Sequence, residues 1–177
     1  MFIPGILISI ATFPGVIVHE FAHLFFCRLR KVAVFDVCYF RFANPVGYVI
    51  HENTNNFYTT FLISMGPFFI NTLLCLLICI PAYIPISFFN VDHPLSYFLM
   101  WLGVSIGMHA IPSNQDAKNL FDQAKVKAKE KNVLAIISFP IIGLIYLFNV
   151  LRFFWADFFY GIGIGVGVGL PSLLFKA

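Results

Sequence analysis

The chain has 177 residues, 60% of them hydrophobic and only 11% charged, with a net charge of +3 and a mean hydropathy of +0.88. A soluble domain is about half apolar and a quarter charged, so this composition excludes an ordinary water-soluble globule and predicts an integral membrane protein. One membrane-embedded domain, residues 1–177, is the expected count at this length.

Residues 2–27 form a first apolar run, long enough at about 1.5 Å per residue to cross a hydrocarbon core of roughly 30 Å. Arg28, Arg30 and Lys31 close it. Residues 32–57 change character: a β-branched and aromatic stretch, 32–42, is followed by Asn44-Pro45 and by Gly47-Tyr48-Val49-Ile50-His51. That pattern predicts a small β-hairpin at the membrane surface. A second span is expected over 58–81, interrupted at Gly66-Pro67 and carrying Asn71. A turn region containing Pro81, Pro85 and Pro94 should follow. A third span is expected over 95–111. Residues 116–132 read as a basic surface helix, and a fourth span covers 133–154. Five glycines between 161 and 169 would place two i,i+4 rows on a fifth helix over 158–175, while their alternation also suits a strand or a re-entrant turn. Cys75 and Cys79 share a face of the second span and read as small packing residues.

Nine of the eleven Lys and Arg residues fall in 28–57 and 113–132. The positive-inside rule places both segments in the cytoplasm and the N-terminus outside. Topology thus accounts for the basic residues, and no aromatic platform accompanies them, so no nucleic-acid partner is expected.

The chemistry lies in His19-Glu20-Phe21-Ala22-His23, inside the first apolar run. Histidines four apart are separated by about 40° around a helix and can grip one metal ion. Glu20, beside them, is placed to serve as general base toward a metal-activated water. A catalytic zinc site takes three protein ligands and keeps one position open. The third ligand is expected at Asp116, with His109 as the alternative. Asp36, Glu52 and Asp92 fall in loops, and Asp157 is expected near the opposite face of the membrane. Taken alone, Asp116 is equally the kind of residue that caps a helix, and Asn71 the kind that clasps neighbouring helices.

HEFAH in the first span, Gly66-Pro67 with Asn71 in the second, and Asp116 after the third together resemble the site-2 protease family of intramembrane zinc metalloproteases. The resemblance covers roughly residues 3–120. It differs in detail: three residues separate Pro67 from Asn71, and the third element reads His109-Ala-Ile-Pro112-Ser-Asn-Gln-Asp116-Ala. The resemblance implies an all-α polytopic membrane protein of four to five transmembrane helices, with a three-helix metalloprotease core and a small surface hairpin. It implies one Zn2+ per chain held by His19, His23 and Asp116, with Glu20 as catalytic acid and base and Asn71 near the scissile bond. The expected activity is endopeptidase cleavage in or near a transmembrane segment of a protein substrate in the lipid bilayer. A regulatory membrane partner or homo-oligomer is also compatible with so short a chain. The alternative is a non-catalytic, metal-stabilised scaffold or pseudoprotease that binds a partner helix.

Overall fold

A computed structural model describes residues 5–89 and 93–167. The chain is mostly helical, with one two-stranded sheet. The first apolar run is divided. Helix α1 spans Gly5–Ala11 and α2 spans Phe13–Leu29, and their axes meet at 88° across Thr12. Pro14, in the first turn of α2, lacks the N–H that would continue the helix and is well suited to starting one. The expectation of one continuous span over 2–27 is corrected on that point.

Strands β1 (Val34–Cys38) and β2 (Tyr48–His51) pair antiparallel, with Val37 opposite Val49 and a bulge between Val34 and Asp36. This is the expected hairpin, with shorter strands than the sequence pattern suggests. Helix α3 (Phe57–Phe89) is longer than expected. It runs through Gly66-Pro67 and also through Pro81 and Pro85, where the sequence predicts a turn region. Helix α4 spans Pro94–Met108, α5 Asn114–Lys129, α6 Val133–Leu151 and α7 Ala156–Gly165, with a single 3-10 turn at Arg152–Phe154 between the last two.

Phe57–Ser87 and Val133–Phe154 are long and apolar enough to cross a membrane, and the bent α1–α2 pair makes a third such segment if it is counted as one. Helix α4, at 15 residues, is apolar but shorter.

The long α3 is the axis against which the rest packs. Its first half meets α5 and α6: Phe57 clusters with Leu120, Ala124, Ala135 and Ile142, and Met65 with Ala117 and Ile145. Pairing of Ala124 with Ala135 at one end and Ala117 with Ile145 at the other makes α5 and α6 an antiparallel hairpin. Basic α5 therefore lies along apolar α6, not apart from it. The second half of α3 meets α4 and α7. Cys75 and Cys79 are fully buried there, as packing residues, against Gly103, Gly107, Gly161 and Gly165. One glycine row of α7 thus serves close packing, whereas Gly163 and Gly167 have nothing within 4 Å. Gly169 and most of 166–175 lie outside the described residues, as does Asp92.

Two close approaches seat α2 in this frame. A Cβ on Gly15 would collide with the carbonyl oxygen of Ser105 in α4, and one on Gly66 would come within 2.5 Å of the Phe26 ring. At the other end Arg30 donates from Nε to Thr59 Oγ1 at 3.1 Å, tying the end of α2 to the start of α3. The end of α2 thus lies beside the start of α3, where Phe57 meets Leu120 and Ala124 of α5.

Candidate metal centre

Helix α2 carries His19, Glu20 and His23 on adjacent positions of its inner face, with Glu20 and His23 buried and His19 partly so. Each histidine is fixed by its Nδ1. His19 Nδ1 donates to the backbone carbonyl of His109 at 2.7 Å, and His23 Nδ1 donates to that of Ile63 at 2.9 Å. A carbonyl oxygen only accepts, so each Nδ1 carries a proton, and in the neutral form of either ring Nε2 presents a lone pair. Those two Nε2 atoms lie 3.2 Å apart.

Asp116 arrives from α5. Its two oxygens have separate tasks. Oδ2 accepts from the backbone N–H of Ser113 at 2.8 Å and from Ser113 Oγ at 2.6 Å, while Asp116 N–H donates to Ser113 Oγ, completing a capping box. Oδ1 lies 3.5 Å from His23 Nε2. Capping and convergence on the histidines are thus both satisfied by one carboxylate. Burial acts to raise the Asp116 carboxyl, but in the metal-free chain the charge of protonated His23 and His19, together with the Ser113 hydrogen bonds, outweighs it and holds the group below the usual carboxylate range.

His19, His23 and Asp116 bring one ligand atom each within 4.8 Å of one another. Three such donors meeting here, with both Nδ1 protons spent on carbonyls, could hold a cation, either a metal ion or a proton on His23 Nε2 facing Asp116 Oδ1. Nitrogens about 2.0–2.1 Å from a tetrahedral zinc ion lie roughly 3.3 Å apart, so the 3.2 Å separation matches that donor set.

The remaining candidates occupy other positions. The His109 side chain turns away from the triad: its Nε2 meets Thr12 Oγ1 at 2.8 Å, and that hydroxyl donates its own proton to Ile8 O at 2.7 Å. Having one proton, the hydroxyl accepts from His109. His109 therefore contributes its main-chain carbonyl as an orienter of His19, and its ring ties the α1–α2 break to the end of α4. Asn71 is fully buried and donates from Nδ2 to the carbonyls of Gly15, Ile106 and His109 at 3.3, 3.1 and 3.2 Å. It clasps α2 and α4, and the His109 carbonyl receives Asn71 and His19 together. Asn71 is not among the residues lining the cavity over the triad.

That cavity has a volume of about 410 Å³ and is lined by the triad, Glu20, hairpin residues 44–49 and Arg152. Gly47 presses on Glu20: a Cβ there would sit 2.7 Å from Glu20 Cγ and 3.0 Å from Oε1. Only glycine admits the hairpin so close to the carboxylate.

Several contributors carry no motif. The segment between α4 and α5 is held by Asn149, whose Nδ2 donates to Pro112 O at 3.0 Å, and by Arg152, whose Nη2 donates to Ile111 O at 3.4 Å. Arg152 and its ion-pair partner Asp157 (3.7 Å) adjoin the site. The expectation for Asp157 is a place near the opposite face. The return of α6 along α5, with the turn at Arg152–Trp155, brings it to the level of His109 instead. A polar pair five residues apart at the end of an apolar run is the signal available for it. Compared with families of known proteins, with curated proteins and with solved structures, the chain matches none of them.

Proposed function

We propose that the chain is a zinc-dependent intramembrane endopeptidase. The observation that carries this reading is the convergence of His19 Nε2, His23 Nε2 and Asp116 Oδ1 beside Glu20, in one cavity walled by a β-hairpin. His19, His23 and Asp116 would hold the ion. A zinc ion there supplies Lewis-acid polarisation of a carbonyl and acidifies water.

The chain's own residues account for the rest. Glu20 takes a proton from the attacking water as its oxygen bonds to the carbonyl carbon. It then delivers that proton to the amide nitrogen as the C–N bond breaks. Burial of Glu20 between α2 and Gly47 excludes bulk water from this transfer. Asn71 acts as a positioning residue through the His109 carbonyl. The hairpin offers main-chain hydrogen-bonding groups to an extended substrate segment.

We read the protein as multi-pass, with four to five embedded helices and the N-terminus outside. On this reading segments 28–57 and 113–132 are cytoplasmic, which their holding nine of the eleven Lys and Arg residues supports. The substrate is then a membrane protein cut in or near a spanning segment. Purified chain loaded with zinc should cleave a single-span substrate, and Glu20→Gln should bind zinc and leave the substrate intact. Equal cleavage by both proteins would refute the assignment.

A further inference from the structure

The cavity over the metal triad does not end there. Ser9, Asn44, Val46, His109 and Arg152 also line a second chamber of about 520 Å³, bounded by α1 and by Phe153. Arg152 stands where the two chambers meet. It is the cationic side chain bordering either one.

The guanidinium has five N–H donors in a planar fork. Its Nε edge faces Asp157 Oδ2 at 3.7 Å, too long for a hydrogen bond, and among the described residues Nη2 makes one long bond, of 3.4 Å to Ile111 O. The linker does not depend on that bond, because Asn149 already secures Pro112 at 3.0 Å. Among the described residues Nη1 has no hydrogen-bond partner and Nη2 has only that long one, so donors of the Nη1–Nη2 edge remain for a ligand in the cavities Arg152 lines. That edge is the one matched to a carboxylate in bidentate geometry. Ile6, Ile8, Val46 and Phe153 give the chamber apolar walls, Ser9, Asn44, His109 and Asn149 add polar groups, and the Asp157 carboxylate lines it too, so an entering anion would depend on the Arg152 charge against that of Asp157.

We propose that Arg152 is a substrate-binding residue that holds a carboxylate of the peptide on the α1 side of the metal centre. The carboxylate is either an acidic side chain near the scissile bond or the terminus of the chain. This assignment rests on the peptidase reading of the site, and it adds a substrate class to it.

The test uses the full chain in detergent, stripped of metal by a chelator so that no ion can hold the anion. The probes are fluorescent peptides of one apolar sequence, made as two pairs: internal Glu against Gln, and free C-terminal carboxylate against carboxamide. In at least one pair the acid should bind wild type about tenfold tighter than its neutral twin, the usual effect of one charge-assisted hydrogen bond. The pair that responds identifies the source of the carboxylate. Arg152→Gln should abolish the preference, Arg152→Lys should retain part of it, and Asp157→Asn, which removes the competing negative charge from the chamber wall, should increase it.

Equal binding of acid and neutral twins to wild type, or a preference that survives Arg152→Gln, overturns the proposal. Should Arg152→Gln fail to fold, Asp157→Asn decides: a preference unchanged or reduced there is equally fatal. Binding and cleavage separate the two claims. A chain that binds acids through Arg152 but never hydrolyses a peptide refutes the peptidase reading alone. One that binds and cleaves both twins equally refutes the role of Arg152 alone.

Discussion

His19 Nδ1 donates to the backbone carbonyl of His109 at 2.7 Å, joining residues 90 positions apart in the chain. The contact fixes the tautomer of His19 and turns Nε2 toward His23. It also assigns His109 a main-chain role that any residue can fill at that position. His109→Ala should therefore retain metal, whereas Asp116→Ala should lower zinc affinity by at least about 100-fold, more than the loss of an outer partner costs. Metal content after dialysis against a graded zinc buffer distinguishes the two. Loss of metal from His109→Ala with retention in Asp116→Ala would contradict the ligand set.

Glu20 is not a ligand in this arrangement. Glu20→Gln should keep zinc affinity within a few fold of wild type and reduce peptide hydrolysis by about 10²–10⁴-fold, the range expected of a lost general base. Single-turnover cleavage with metal quantified on the same sample is the relevant measurement.

Gly47→Ala tests the hairpin's approach to that carboxylate. The new methyl group would meet Glu20 Cγ at 2.7 Å, so either the hairpin lifts or Glu20 shifts. Catalysis should fall by about 10²-fold, as for an angstrom-scale misplacement, with zinc affinity unchanged. Full activity in the Gly47→Ala chain would show that Glu20 need not sit where it does.

Asn71 connects three main-chain carbonyls of two helices from a fully buried position. Asn71→Ala should destabilise the fold by about 2–4 kcal/mol, combining lost hydrogen bonds with a small cavity. Because the His109 carbonyl is one of the three, zinc affinity should fall as well. Thermal unfolding in detergent, with and without zinc, reads both effects.

Acidification should release the metal through the histidines first. Metal ligands bind deprotonated, so affinity falls as pH drops and imidazoles protonate, ordinarily between about pH 7 and 5. The Asp116 carboxyl is held below its ordinary range, since His23 and His19 outweigh burial. A depressed carboxyl contributes stability above its unfolded value of about 3.9 and loses it only as pH falls through the lowered one. Competition with a chromogenic chelator from pH 8 to 5 should thus show a loss of up to two protons' steepness. Asp116→Asn should lower affinity throughout that range.

Much of this architecture can be read along the chain. The excess of apolar residues implies membrane helices, the β-branched run around Asn44-Pro45 implies the hairpin, and helical periodicity alone places His19 and His23 on one face. Asp116 reads as a residue of a helix start because a cap is a local device, although the N-cap itself is Ser113 and Asp116 is its capping-box partner. Prolines are the misleading signal. Pro81 and Pro85 suggest a turn, yet α3 runs past them, since packing against α4 and α7 over many residues outweighs individual lost hydrogen bonds. Pro14, which does mark a break, sits in the same kind of apolar sequence.

Read without the fold, the order of residues establishes the donor set: two imidazoles and a neighbouring carboxylate on one helix, with Asp116 and His109 as open candidates for the third ligand. Only the folded chain brings the Asp116 carboxylate, and not the His109 ring, up to the two imidazoles. The carbonyls of Ile63 and His109 set both histidine tautomers, and the return of α6 along α5 brings Asn149, Arg152 and Asp157 to the same level. A main-chain carbonyl has no side-chain identity, and the pairing of α5 with α6 depends on burial between distant segments. Neither leaves a local pattern in the order of residues.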